Sequence, residues 1–206
     1  MTQFFHIHKD NPQQRLIKQA SKIIDSGGIV AMPTDSSYAL VCHLDDKNAV
    51  DRLRKIRGVD EKHHLTLLCR DLSEISSYAK IDNIQYRLIK SKTPGPFTFI
   101  LEATKEVPRR LSHPARKTIG LRVPEHTIAL SLLKELGQPL LGTTLIPIGT
   151  DIPMVDPNLI ADLYKKQIEL VIDGGNCSLL LTTIVDLTGD HPVIVRKGKG
   201  DSTLFS

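Results

Sequence analysis

Apolar residues along the chain recur with two periods, and the period switches many times between one end and the other. Leu16, Ile17, Ala20, Ile23 and Ile24 repeat at helical spacing, with Asn11 placed to cap, Pro12 at a first helical position and Gly27-Gly28 closing the run. This predicts an amphipathic helix. The apolar run IVAM that follows reads as a buried strand and breaks at Pro33 into the polar loop PTDSSY. The pattern then repeats: Asp45 or Asp46 caps a helix through KNAVDRLRKIR, and LTLLC is another buried strand. Helices are expected at LSEISSYA, NIQYRLIKS, TIALSLLKEL and near NLIADLYKKQ, and strands at FTFIL, TIGLRV, PLLGTTL, ELVID, TTIVDL and PVIVR. Interleaving of this kind predicts one α/β domain over residues 1–206, with no repeat, low-complexity tract or linker. IPIGTDIPMVDP, with three prolines and a glycine, is the expected mobile loop.

Composition narrows the chemistry. A chain of 206 residues can bury a core without staples. Its three cysteines, Cys42, Cys69 and Cys177, lie far apart without metal-ribbon or disulfide spacing, so reduced and mostly buried thiols are expected. The start MTQFFHIHKDNPQQ lacks the basic and apolar regions of a signal peptide, and no stretch approaches the roughly 20 apolar residues of a membrane span. The expectation is a soluble, cytoplasmic protein without a membrane partner. With 27 Lys and Arg against 23 Asp and Glu, the formal charge of +4 permits an anionic ligand without demanding one. There is no tryptophan, so a stacking platform for single-stranded nucleic acid is poorly supplied and phosphate contacts would carry any nucleic-acid binding.

Several short segments carry candidate chemistry. In IRGVDEKHHL, His63 and His64 are neighbours that diverge on a helix or a strand, so they do not chelate one ion and at most one is expected to face a site. No metal site is assigned. PTDSSY leaves a strand end, where α/β sheets usually hold ligands, although Asp35 and Ser36 also suit a local turn. TPGPFTFIL reads as a rigid turn that fixes a backbone path. Arg122 and Arg196 end β-like runs, as a solvated flank or as a converging pair on an anion. RLRKIR is a solvent face or a stripe toward RNA. Neither a Walker nor a Rossmann phosphate loop occurs, so a nucleotide would be held another way.

Taken together, GGIVAMPTDSSYAL, RKIRGVDEKHHLTLL, TPGPFTFIL, TIGLRVPEHTIA, PLLGTTL, VIDGG, TTIVDL and VRKG resemble, in order and spacing, the YrdC-like family of threonylcarbamoyl-AMP synthases. FFHIHKDNPQQRLI and KEVPRRL are most similar to its YciO branch. The resemblance implies a twisted open mixed α/β sheet with flanking helices and a concave basic face. Active members condense threonine, bicarbonate and ATP, with Mg2+ and no prosthetic group, into threonylcarbamoyl-adenylate for tRNA modification. By the same resemblance Thr34, Tyr38, His63 and Arg122 lie on the threonine side. Arg57, Thr118, Thr143, Thr144, Thr182 and Arg196 meet the nucleotide, and Arg57, Lys62, His63 and Thr144 are the catalytic candidates. A concave double-stranded RNA or tRNA surface would draw on Arg52, Arg54, Lys55, Arg109, Arg110, Arg116 and Lys117.

This chain departs from the family pattern in a small polar set. Arg57 stands for a lysine and Thr144 for a serine, keeping charge and hydroxyl, whereas Val59 replaces an arginine and Ile146 an asparagine. The chemistry builds negative charge on carboxylate and phosphate oxygens, so losing two stabilising groups implies weak or altered synthase activity. Lys62 or His63 would partly substitute for the missing cation. The alternatives are a non-catalytic binder of double-stranded RNA or tRNA, and a hydrolase or transferase on an adenylate-like substrate with His63 as acid/base.

Overall fold

The computed structural model describes residues 1–205, and the periodicities translate into ten strands and six helices. The strands are β1 (Gln3–His6), β2 (Val30–Met32), β3 (Ala39–His43), β4 (Thr66–Leu68), β5 (Phe97–Glu102), β6 (Thr118–Arg122), β7 (Leu140–Thr144), β8 (Leu170–Asp173), β9 (Thr183–Asp186) and β10 (Val193–Arg196). The helices are α1 (Gln14–Asp25), α2 (Lys47–Arg57), α3 (Leu72–Tyr78), α4 (Asn83–Lys90), α5 (Thr127–Leu136) and α6 (Pro157–Leu163). All ten strands join one sheet in the order β1-β8-β2-β3-β7-β4-β6-β5-β9-β10. Pairing is mixed: β8 is parallel to β1 and β2, β4 to β6 and β5 to β9, and the remaining neighbours are antiparallel.

The helices cover the sheet unevenly, and this decides where a site can exist. On one face Ala49, Val50 and Leu53 of α2, Ile75 of α3, Ile89 of α4 and Ile160 of α6 pack on Leu67, Phe99, Ile119, Leu121, Leu141 and Val185. Among the described residues the other face has only α1 and α5. Their Ile17, Ala20, Ile24, Ile128, Leu132 and Leu133 bury Val30, Met32, Val41, Leu140, Leu170 and Ile172. Beyond Leu68 and Leu140, which pack with α5, the β7-β4-β6-β5-β9-β10 half of this face carries no helix among the described residues.

Most expected elements form as read. Asp46 caps α2 by accepting from Ala49 N at 2.9 Å, and Gly58 ends it in the left-handed region. The TPGPFTFIL turn contains a cis Thr93–Pro94 bond, and Gly95 N donates to Val123 O at 2.9 Å. Cys42 and Cys69 are buried, and burial pushes the Cys42 thiol up to about 12. No helix among the described residues is long and apolar enough to cross a membrane.

Four details differ from expectation. Asn11 and Pro12 do not open α1, because His8 Nδ1 accepts from Asp10 N and Asn11 N and holds that segment as a turn; Gln13 is the N-cap, without a side-chain capping bond. Strands β1 and β3 have no counterpart in the expected elements: QFFH is a short edge strand whose partner β8 is far along the chain, and ALVCH merges into the loop before it. Helix α6 stops at Leu163, with Lys166 at a φ of 68°, short of the expected NLIADLYKKQ. The IPIGTDIPMVDP segment is closed on itself by Met154 N donating to Leu145 O, the residue just before it, and is tied to the chain beyond by Cys177 N donating to Val155 O, while Ile148 and Ile152 are exposed.

Candidate functional site

The uncovered half of the sheet forms a cleft of about 320 Å³. Its floor follows from strand alternation. Thr66, Thr98, Gly120, Gly142, Thr144 and Thr182 face the cleft, while Leu67, Phe99, Ile119, Leu121 and Leu141 on the same strands face the opposite core. The floor is therefore small and hydroxylated, walled by Leu68, Ile100, Ile146, Ile184 and Val195. Four Lys and Arg side chains line the cleft, Arg57, Lys62, Arg122 and Arg196, and no Asp or Glu does among the described residues. Such a lining favours an anion.

At one end stands Arg122, the last residue of β6. It is 5% exposed. Its Nη2 donates to Asp35 Oδ1 in a short contact and its Nη1 to Ser36 Oγ at 3.3 Å, leaving Nε buried without a partner. Desolvation by burial lowers its pKa, and Asp35 opposes that shift. Asp35 also accepts from Glu125 N at 3.0 Å. The loop that carries it is internally fixed: Thr34 Oγ1 donates to Ser37 O at 2.6 Å and accepts from Ser36 N at 3.1 Å. Tyr38 OH donates to Gly175 O at 2.9 Å, and burial holds its pKa far above the phenol range, so it remains a donor. Arg196 is seated at the same end by Thr182, whose carbonyl accepts from Nε at 3.1 Å and from Nη2 at 3.0 Å.

At the other end Arg57 leaves α2 and donates from Nε to Thr144 O at 2.7 Å; its Nη groups make no hydrogen bond to the described residues. Lys62 Nζ is likewise uncommitted. His63 Nε2 lies 3.4 Å from Thr143 Oγ1. Partial burial, then Arg57 and Arg54, hold its pKa below the usual imidazole value. His64 Nε2 meets Thr118 Oγ1 at 3.0 Å, and its ring stacks on His113 with centroids 5.1 Å apart. Burial, then His113, lowers the His64 pKa as well. Strand β6 links this contact to Arg122, about 13 Å away at the usual rise per residue.

The cleft brings together Thr34, Tyr38, Arg57, Lys62, His63, Arg122, Thr143, Thr144, Thr182 and Arg196. Thr118 is not in the lining; it lies beside it, under His64. Both histidines line the cleft, contrary to the expectation that at most one would, because a turn at residues 61–62 and a bend at 63 lead into irregular backbone at 64–65, so the two rings do not alternate as on a strand. Val59 lies outside the lining, with its amide bonded to Arg54 O, whereas Ile146 is part of the wall. Sequence reasoning missed Thr66, Thr98, Gly120 and Gly142, although their period-2 placement between apolar residues was the available signal.

The expected RNA-facing cations divide. Arg54 is 8% exposed and its Nη1 clamps Asp60 O at 2.5 Å, so its place is inside the loop and not on the surface. Arg52 pairs with Glu169 at 2.6 Å, Arg116 with Asp186 at 3.4 Å, and Arg110 donates to Leu44 O at 3.1 Å. Lys55, Arg109 and Lys117 are exposed, with no side-chain partner among the described residues.

Comparison with known proteins bears on this geometry. Residues 22–198 match the family described as "Sua5_yciO_yrdC: Telomere recombination". The chain is 53% identical over 205 residues to "Uncharacterized protein YciO" of Escherichia coli (strain K12), covering 100% of both. The crystal structure of E. coli YciO gives a TM-score of 0.98 at 52% identity, again over 100% of both chains. "Threonylcarbamoyl-AMP synthase" of Pyrococcus abyssi (strain GE5 / Orsay) is 32% identical over 184 residues, covering 88% of this chain and 54% of the synthase. The crystal structure of P. abyssi Sua5 complexed with L-threonine gives a TM-score of 0.88 at 28% identity, over 96% of this chain and 58% of that one.

Proposed function

The chain belongs to the Sua5/YciO/YrdC family, and on that premise we propose that its cleft binds a nucleotide, ATP first, and an amino acid of the threonine class, with weak or altered threonylcarbamoyl-AMP synthase chemistry. The observation that carries this reading is the assembly of the threonine-side and nucleotide-side residues in one cleft with two cationic ends. Carboxylating an amine and adenylating the resulting carbamate both place negative charge on oxygens, and preorganised cations stabilise that charge. Arg57 and Lys62 offer uncommitted donors for a polyphosphate; Arg122, held by Asp35, suits a small carboxylate. Magnesium would arrive on the triphosphate, because the lining supplies no carboxylate to hold it. His63, with its lowered pKa, is the group available to take a proton near neutral pH. Weakness of the synthase step is attributed to Ile146, which puts an apolar wall where the family pattern has asparagine donors. Double-stranded RNA or tRNA is the second partner of this reading, supported by Lys55, Arg109 and Lys117.

The test supplies Mg-ATP, bicarbonate, threonine and pyrophosphatase and follows threonine-dependent phosphate formation. Slow turnover is expected, and Ile146→Asn should raise it on the order of tenfold or more, the scale of one transition-state donor. Val59→Arg alone should add less. Turnover of the unmodified protein at the rate of the P. abyssi synthase would remove the weak-activity part, and calorimetry showing no ATP binding would remove the reading altogether.

A further inference from the structure

Two segments from distant parts of the chain meet above Arg122. The loop carrying Asp35 leaves β2, third in the sheet, while residues 197–200 leave β10, tenth in the sheet. The second segment runs back over neighbouring strand ends as a strap. Gly198 N donates to Thr183 Oγ1 at 3.0 Å, Lys199 N to Leu181 O at 2.8 Å, and Thr183 Oγ1 to Gly200 O at 2.6 Å. Two glycines permit this path: a Cβ at Gly198 would lie 2.2 Å from Leu181 O, and one at Gly200 would lie 2.6 Å from the Phe97 ring. The strap thereby delivers the Lys199 ammonium to the backbone carbonyl of Asp35, in a short contact spanning 164 positions of sequence.

From this chain of contacts we infer that Lys199 is a positioning residue for the carboxylate-binding end of the cleft. The inference rests on the reading that this end takes an amino acid. Lys199 fixes the Asp35 backbone, the Asp35 carboxylate fixes Nη2 of Arg122, and Ser36 fixes Nη1. Nε is then the one nitrogen of that guanidinium left buried and unpaired. Without Lys199 the Asp35 loop loses its only hydrogen bond to the strap among the described residues, and Glu125 N is then the one contact besides Arg122 itself that holds the Asp35 carboxylate. Lysine suits the task because its ammonium is a charge-assisted donor on a stem long enough to bridge the strap and the loop. Nothing in the contact asks Lys199 to touch the ligand.

The experiment compares the unmodified protein with Lys199→Ala and Lys199→Arg. Calorimetry with L-threonine should show Kd rising about tenfold for Lys199→Ala, the loss of one charge-assisted bond. Lys199→Arg should recover most of the affinity, and ATP affinity should stay within about twofold in both, because Arg57 lies at the other end. In ligand-free protein the Nε–H resonance of Arg122, assigned through Arg122→Lys, should shift or broaden in Lys199→Ala and return in Lys199→Arg. Unchanged threonine affinity in Lys199→Ala, equal losses for threonine and ATP, or an unmoved Nε–H resonance would each overturn the inference. If the unmodified protein binds no threonine, the functional reading fails, and the resonance alone decides whether Lys199 positions Arg122.

Discussion

The two ends of the cleft are built differently. At the Arg122 end the cations are already engaged: Arg122 with Asp35 and Ser36, Arg196 with Thr182, Lys199 with the Asp35 carbonyl. At the Arg57 end one nitrogen of Arg57 is anchored, while its Nη groups and Lys62 Nζ make no hydrogen bond among the described residues. A preorganised end suits a small ligand of fixed shape, because little side-chain freedom remains to be lost on binding. An uncommitted end suits a polyphosphate, whose oxygens adopt many arrangements and which can draw long side chains to itself. The difference teaches that charge in the lining is not one property: the same residue type is structural at one end and available at the other.

The largest effect should come from breaking the engaged end. Asp35→Ala leaves Arg122 buried and unpaired, and urea unfolding should show a loss of about 3–5 kcal/mol, the usual cost of orphaning one partner of a buried pair. Asp35→Ala as stable as the unmodified protein would erase the contrast between the ends. Next, Arg57→Ala should cost only about 1 kcal/mol of stability, the net worth of its bond to Thr144 O, yet weaken ATP by roughly 10- to 100-fold. A large stability loss there would make Arg57 structural too.

Smaller is the response to acid. Burial is the first cause of the lowered pKa of His63, of His64 and of His126, whose Nδ1 is buried without a partner. A lowered imidazole pKa means that below about pH 6.5 the unfolded chain binds protons that the native state refuses, so stability is fully present above that value and lost as pH falls through it toward the native values. Melting temperature between pH 8 and 5 should follow this course, and His126→Asn should flatten it more than His63→Asn, whose ring is more exposed. A flat profile between pH 7 and 5 for the unmodified protein would contradict this. The smallest effect concerns RNA: Arg109→Glu should weaken duplex binding modestly and reduce its salt dependence. Binding insensitive to salt would take RNA out of the account.

How much of this was legible follows from particular residues. Helix α2 could be read to its ends because Asp46 and Gly58 are local signals, and α5 because its apolar residues keep period. Strand β1 could not, since its pairing with β8 is decided by residues more than 160 positions away. The site was legible as a list, through the resemblance, but not as an arrangement. That Thr34 and Tyr38 spend their hydroxyl protons inside the protein, that Arg54 is a loop clamp and that Val59 lies outside the cleft lining are facts of packing. The pair His63 and His64 was expected to send at most one ring to a site because adjacency was weighed on a helix or strand, whereas residues 61–65 are a turn, a bend and irregular backbone. Lys199 carried no signal, because the strap that aims it exists only when β9 and β10 are paired.

The alternation of cleft-facing and core-facing residues along β4, β5, β6 and β7 constrains how such a protein can diverge. A one-residue insertion or deletion inside any of these strands would turn its threonines and glycines into the core and its leucines and phenylalanines into the cleft, losing fold and site together. Point substitutions at side chains that line the cleft away from α1 and α5 carry no such penalty, in contrast to Gly142, where a Cβ would lie 2.8 Å from Leu68 Cδ1. Divergence among proteins sharing this sheet is therefore expected as replacement of single residues such as Ile146, at constant strand length, with changes of length confined to the loops.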